Sequence, residues 1–308
     1  MVTINVLVIT YNQEKIISRA LDSVLSQKEW GLKEIIICDD NSTDGNWNVI
    51  QSYVERYPEI IKAYRNEPNL GIIRNVEKVR ANRGSADLFI HLAGDDAINE
   101  GYFKEIQKVV SDRHIDVKND AAIILAAYKS IRPDGKERIW PNSCVKNSNE
   151  LFRLKYRNMV SGRGMLVTSK VISKYKPLED VSNLVEAEEL CDIQSYMNAE
   201  KSYYTPYVGN IYYTRIGIST TMQNDAFYEK YIAKFKKFLM LFDLCEKDKL
   251  FTEMKIAENQ YFMHPSVSLL LRIIVLFFRS YDFKLGINKL QFLITVREIV
   301  KHTMNHHA

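Results

Sequence analysis

The sequence predicts an α/β protein with a mostly parallel sheet, helices on both of its faces, and a C-terminal helical extension. Three observations carry this prediction. Short β-branched runs alternate with segments of helical period through the first hundred residues, three of those runs end in polar clusters, and the chain beyond Tyr261 turns apolar and basic.

The first run is Asn5 to Thr10, apolar on nearly every position as a strand buried on both faces should be. After the polar break Tyr11-Asn12, the residues Ile16, Ile17, Ala20, Leu21, Val24 and Leu25 recur at helical spacing between Glu14 and Gln27. Glu34 to Cys38 is a second strand, stopped by Asp39-Asp40. Asn41 to Asp44 then supplies turn and cap residues ahead of a helix through Trp47, Ile50 and Val54. Ile60 to Tyr64 predicts a third strand, Ile72 to Asn82 a helix, and Leu88 to Leu92 a fourth strand that ends at Gly94-Asp95-Asp96. In open α/β sheets ligands bind outside the carboxyl ends of the strands, so Thr10-Tyr11-Asn12, Asp39-Asp40 and Asp95-Asp96 are expected along one edge.

Farther along, Ala121 to Tyr128 and Gly164 to Thr168 read as strands, with Pro133-Asp134-Gly135 as the turn of a hairpin and a helix starting near Lys170. Glu186 to Asn198 has a helical pattern with an acidic start, Tyr203 to Thr214 is aromatic and β-branched, and Asn224 to Lys249 predicts one amphipathic helix. The expected division is a catalytic domain over 1–222 and a helical extension over 223–308.

The 308 residues carry 42 Lys and Arg against 38 Asp and Glu, a net charge of +4. Between Tyr261 and Ala308 there are six basic and two acidic residues, so the tail holds the whole excess and the rest is neutral. That argues against nucleic acid as a partner, which would need a basic stripe on the folded domain. The four cysteines (Cys38, Cys144, Cys191, Cys245) show no CxxC spacing, which fits a reducing, cytoplasmic location. The longest apolar run, Val267 to Phe278, is broken by Arg272 and falls short of the roughly 20 residues a spanning helix needs.

Two carboxylates at the end of a buried strand repel each other unless a cation compensates them. Hard carboxylate oxygens suit Mg²⁺ or Mn²⁺, held by one or two acids together with substrate phosphates, so Asp95-Asp96 reads as a meeting point of metal and diphosphate. The same acids also suit a helix cap. Asp40 at its strand end suits a nucleobase N–H, with the Tyr11 ring able to stack on the base.

These segments together resemble the inverting family 2 glycosyltransferases of the GT-A fold. Val6 to Asn12 resembles the family's opening strand, Ala20 to Gln27 its first helix, and Glu34 to Asp44 the second strand with the nucleotide loop. Asn69-Leu70-Gly71 with Asn75 is similar to the segment preceding the metal motif, and Leu92 to Asp96 to that motif. The resemblance implies that Thr10, Tyr11, Asn12 and Asp40 hold the base of the nucleotide-sugar donor with help from Asp39. It also implies Arg74 or Asn75 near the diphosphate, and Asp95 and Asp96 on Mn²⁺ or Mg²⁺, with Asp95 also touching the donor. Ala93 stands where the family's Asp-x-Asp motif has its first carboxylate.

An inverting transfer needs a general base at the acceptor hydroxyl. The cluster Glu186, Glu188, Glu189 and Asp192 resembles the family's acidic segment below the acceptor pocket, which implies Glu188 or Glu189 as base, with Glu189 the better match; acids also simply favour a helix N-terminus. Arg215 is similar in place to residues that neutralise the leaving diphosphate. The expected activity is transfer from a UDP-sugar to a glycan or lipid-linked sugar acceptor in bacterial O-antigen, capsule or related surface-polysaccharide assembly. The alternative is a nucleotide-sugar binding or scaffold protein without transfer activity. The tail, with a second amphipathic stretch over Leu290 to Val300, suits peripheral contact with the inner face of the cell membrane, or a hairpin packed on the domain, or a homodimer contact.

Overall fold

The computed structural model describes residues 1–140, 148–157, 161–179, 184, 188–214, 224–282, 296 and 299. The described residues fall into two compact units, one made by those up to 179 with 188–214, the other by 224–282.

The first unit is built on a nine-stranded sheet. At its centre β1 (Ile4–Thr10) runs parallel to β2 (Leu32–Asp39) and to β4 (Leu88–Ala93), and β3 (Ile61–Arg65) extends the parallel set beyond β2. On the other side of β4 the sheet becomes mixed. Here β8 (Leu166–Thr168) is antiparallel to β4 and to β6 (Ala122–Ile131), while β6 pairs in parallel with the long strand β9 (Lys201–Tyr213). The two-residue β5 (Ala97–Ile98) closes on β9, and β7 (Glu137–Trp140) pairs with β6 across the expected Pro133-Asp134-Gly135 turn.

Alternation of side chains explains the apolar runs. Val6, Val8, Ile35, Ile37 and Ile90 enter one core, which α1 (Ile17–Leu25), α2 (Asn46–Arg56) and α4 (Tyr102–Asp112) cover. Leu7, Ile36, Cys38 and Phe89 enter the opposite core, where Val79 of α3 (Ile72–Ala81) and Tyr196 of α7 (Glu188–Asn198) meet them. Both faces are therefore largely dry, and apart from Asn5 and His91 the polar groups of β1 and β4 gather at the carboxyl ends of the strands.

Helices α4 and α5 (Ser148–Tyr156) and the short β5 lie outside the elements that the sequence pattern predicts. Helix α4 has its buried residues at Tyr102, Phe103, Ile106 and Val109, a legible helical stripe. The single helix expected over 224–249 is instead two, α8 (Asp225–Leu241) and α9 (Glu246–Met263). The break is local: the backbone is extended at Phe242 and Cys245, and the Cys245 thiol donates to Asp248 Oδ2 at 3.1 Å while its carbonyl accepts from the Asp248 N–H at 3.0 Å. The apolar run beyond Ser266 forms α10 (Val267–Arg279), capped by Ser266 Oγ accepting from Leu269 N–H at 3.2 Å. Between α4 and α7 lie α5 (Ser148–Tyr156) and the short α6 (Ser169–Ser173). Leu290 to Val300 lies outside the described residues, apart from two isolated positions. Among the described residues no helix is long and apolar enough to cross a membrane.

Candidate active site

The register of the central strands sets Thr10 beside Asp39, and Ile9 beside both Cys38 and Ala93, so the three polar clusters share one edge as expected. What each side chain does there differs from residue to residue. Asp39 has no exposed surface. Its Oδ1 accepts from Ser42 Oγ at 2.5 Å and Asn46 Nδ2 at 2.7 Å, its Oδ2 accepts from Ser42 N–H at 3.0 Å, and Arg65 Nε stands 3.6 Å away. Rather than facing a ligand, this carboxylate shapes the loop after β2. Thr10 is likewise turned inward, donating to Gln13 Oε1 at 2.7 Å and accepting from Asn46 Nδ2 at 3.1 Å. Asn12 (φ 52°) latches the two loops: its N–H donates to Ser42 Oγ at 2.9 Å and its Oδ1 accepts from Thr43 N–H at 2.8 Å. Of this trio only Tyr11 and Asn12 present accessible surface to the edge.

Asp40 organises the neighbouring loop. Its Oδ1 accepts from Asn66 Nδ2 at 2.7 Å and Leu70 N–H at 2.8 Å, its Oδ2 from Gly71 N–H at 2.9 Å, and its carbonyl from Asn69 Nδ2 at 2.6 Å. Gly71 has φ 79°, a conformation that favours glycine, and open space lies where a Cβ would project. Asn75 is also structural: it accepts from Asn66 Nδ2 at 3.0 Å and donates to the Cys38 carbonyl at 3.0 Å. Arg74 is the accessible member of its pair, with Nη1 on Glu77 Oε2 at 2.6 Å.

The acid pair sits on a turn just past β4, with Asp96 N–H donating to the Ala93 carbonyl at 3.0 Å. Asp96 is 6 % exposed, and burial together with repulsion from Asp95 pushes its carboxyl up to about 7. Burial also raises Asp95. The charges that oppose these shifts come from two arginines that the sequence does not single out, Arg19 and Arg163. Arg19 Nη2 donates to the Asp95 carbonyl at 2.6 Å and its guanidinium lies 3.5 Å over the Tyr213 ring. Tyr213 N–H in turn donates to Asp96 Oδ1 at 3.3 Å. Raised carboxyls mean that the local negative charge is undercompensated, which is the condition a divalent cation relieves. Among the described residues no cluster of three or more acids, histidines or cysteines forms a closed cage. Hard carboxylate oxygens suit Mg²⁺ or Mn²⁺ better than the nitrogen- and sulfur-rich ligand set of a structural zinc.

Helix α7 starts at Glu188, and Glu189 on its first turn is half-buried. The helix is tied to α3 through Arg80, whose Nη1 donates to the Cys191 carbonyl at 3.3 Å while its Nε donates to His91 Nε2 at 2.9 Å. His91 is held neutral by burial and by the Arg80 charge, so it is a structural acceptor, as its place on a buried strand suggests. The side chain of Glu188, and Glu186 and Arg215 altogether, lie outside the described residues.

The pattern of Glycosyl transferase family 2 matches residues 5–164, just over half of the chain. The chain belongs to this family. TarS of Staphylococcus aureus, a poly(ribitol-phosphate) β-N-acetylglucosaminyltransferase, is 27% identical over 204 residues, 65% of this chain and 34% of TarS. The uncharacterised protein Rv1520 of Mycobacterium tuberculosis is 28% identical over 174 residues, 56% of this chain and 47% of that protein. The matches thus span a third to a half of the length of these curated relatives. In three dimensions the fold is shared with residues 1–349 of TarS bound to UDP-GlcNAc, at TM-score 0.60 and 17% identity over 97% of this chain and 89% of that one. It is also shared with the mannosyltransferase PcManGT of Pyrobaculum calidifontis in complex with GDP-Man and Mn²⁺, at TM-score 0.54 and 10% identity over 98% and 84% of the two chains.

Within this family 2 chain, Ala93 closes β4 in register with Ile9, and Asp95 and Asp96 follow it on the turn. The shifted acid gives a pH test. Asp96 keeps its proton in the folded state up to about 7 but loses it near 3.8 when unfolded, so the stability it contributes is full below about 4 and is lost as pH rises through 7. Without metal, Asp96→Asn should therefore melt higher than the parent at pH 8, with the gap closing toward pH 4. Mn²⁺ should raise the parent's melting temperature more at pH 8 than at pH 6, and the variant's hardly at all. Superimposable metal-free melting profiles for the two proteins would refute this placement of Asp96.

Proposed function

We propose that the protein is a metal-dependent inverting glycosyltransferase, a hexosyltransferase that moves a sugar from a UDP-sugar to an acceptor hydroxyl. The observation that carries the reading is the undercompensated Asp95-Asp96 pair beside the Tyr11 and Asp40 loops at one sheet edge. Structural neighbours in complex with UDP-GlcNAc, and with GDP-Man and Mn²⁺, support a nucleotide-sugar donor and a divalent cation. Relatives named for poly(ribitol-phosphate) support an acceptor in bacterial surface-polymer assembly, with O-antigen or capsule units on a lipid carrier as the other acceptors of this reading.

The proposed roles are as follows. Tyr11 stacks on the base, and the loop that Asp40 braces borders the nucleotide, with Asn12 and Asp39 holding the opposite loop in shape. A bound Mn²⁺ or Mg²⁺ supplies Lewis-acid stabilisation of the diphosphate. Arg19 and Arg163 add fixed positive charge on the same side, Arg74 extends it along the diphosphate, and the family resemblance assigns Arg215 the same role. Glu189, or its neighbour Glu188, takes the proton of the acceptor hydroxyl. The oxygen then attacks the anomeric carbon from the face opposite the diphosphate, and the C–O bond to phosphate breaks with its electron pair leaving on UDP.

Ala93 at the position of the family's first motif carboxylate favours one other reading, a donor-binding protein without transfer. Glu189→Gln separates the two. A transferase should lose at least about a hundredfold in rate, the usual worth of a general base, while still binding UDP. A protein that transfers no sugar from any UDP-sugar before mutation is the binding module instead.

The second unit supports peripheral membrane contact on the cytoplasmic side. Helix α10 exposes Val267 (75 %), Leu271 (58 %) and Phe278 (64 %), with Arg272 and Arg279 also exposed. An apolar face edged with cations suits an interfacial helix on anionic headgroups. The full chain should co-sediment with phosphatidylglycerol vesicles at low salt and less at high salt. Recovery as a stable dimer that ignores vesicles would replace the membrane with a second copy.

A further inference from the structure

The distal half of β6 has β7 on one side and β9 on the other, with Tyr128 opposite Trp140 and Ser130 opposite both Arg138 and Tyr212. By strand alternation these side chains share one face of the sheet. There they form a continuous stack. Tyr128 and Trp140 are 6.2 Å apart between ring centroids and nearly parallel, at 11°. Arg138 covers the Trp140 ring at 3.7 Å. From the loop before β8, Arg163 lies 3.9 Å over Tyr212 and 5.5 Å from the Tyr128 ring centre. Trp140 Nε1–H donates to Ser130 Oγ at 2.8 Å, which fixes the indole.

Two properties make this row more than packing. Both arginines are exposed and the rings half-buried, and neither guanidinium forms an ion pair among the described residues. A guanidinium laid flat on a ring keeps its in-plane N–H edge available for a planar anion, and the rings beside it offer flat apolar surface to the C–H face of a sugar or polyol. The row also leads to the acid pair: Arg163 lies over Tyr212, and the next residue along β9, Tyr213, donates its N–H to Asp96 Oδ1 at 3.3 Å.

We propose that the Arg138–Trp140–Tyr128–Arg163–Tyr212 row is an acceptor subsite that selects an anionic glycan or polyol chain, rings packing on the sugar or polyol and the two guanidiniums taking its negative groups. That the bound chain is an acceptor rests on the transferase reading above; that the row binds an anionic chain does not.

The test is a tryptophan-fluorescence titration of the full chain with three probes of matched length: an oligo(glycerol phosphate), an oligogalacturonate and a neutral maltooligosaccharide. At least one anionic probe should quench about tenfold more tightly than the neutral one, and the probe that does so identifies phosphate or carboxylate as the charge read. Trp140→Phe should abolish the quench, and Arg138→Gln should weaken binding by about tenfold, a 1.4 kcal/mol loss within the range of a charge-assisted hydrogen bond. Equal response to the neutral probe, no response to any probe, or an unaltered Arg138→Gln affinity overturns the subsite. UDP with Mn²⁺ is titrated alongside by calorimetry. Anionic-chain binding without nucleotide binding keeps the subsite but removes its assignment to an acceptor, whereas nucleotide binding without anionic-chain binding sinks the subsite and leaves the transferase reading standing.

Discussion

Parallel pairing of β1 with β2 and β4 is the constraint on which the rest depends. Adjacent strands lie about 4.8 Å apart, and because all three run the same way their carboxyl ends share one edge. Polar residues far apart in sequence, at Thr10, Asp39 and Asp95, are thereby held within a few side-chain lengths. Both faces of these strands are buried, so this edge is where the sheet can afford charge. Asp39 shows how firmly it is built. Removing one partner from a buried charged network costs roughly 3–5 kcal/mol, and this carboxylate serves Ser42 and Asn46 at once.

The same edge holds two kinds of acid. Asp39 is saturated by donors from the loop after β2 and Asp40 by donors from the loop after β3, and their negative charge is spent on shape. Asp96 is buried and Asp95 half-buried, and loss of solvent raises both. That contrast, between acids whose oxygens are held by several donors and acids that burial leaves with raised carboxyls, underlies the proposed split between residues that position and residues that bind. The mixed half of the sheet extends the site: Tyr213 at the end of β9 reaches Asp96 through its N–H, and the stacked row on β6, β7 and β9 continues away from it.

The central strands β1 to β4 and the edge they form were legible because periodicity and turn chemistry act locally. The roles within the edge were less so. Residue type shows that Thr10, Asp39 and Asn75 can accept or donate hydrogen bonds, but not that Gln13, Asn46 and Cys38 already take that capacity. Arg19 and Arg163 carried no sequence signal, since one lies on the polar side of an amphipathic helix and the other in a loop nearly seventy residues beyond the acids they face. The α8–α9 break was missed for a different reason: aromatic spacing runs on through Phe242, and only the Cys245–Asp248 cap reveals the new start.

The most direct measurement is a crystal of the full chain grown with UDP and Mn²⁺, with anomalous differences recorded at the manganese edge. The account predicts one strong peak between the Asp95 and Asp96 carboxylates and the diphosphate oxygens, with the uracil against Tyr11. Manganese bound away from this pair, or UDP seated off the carboxyl edge of β1, β2 and β4, would contradict it.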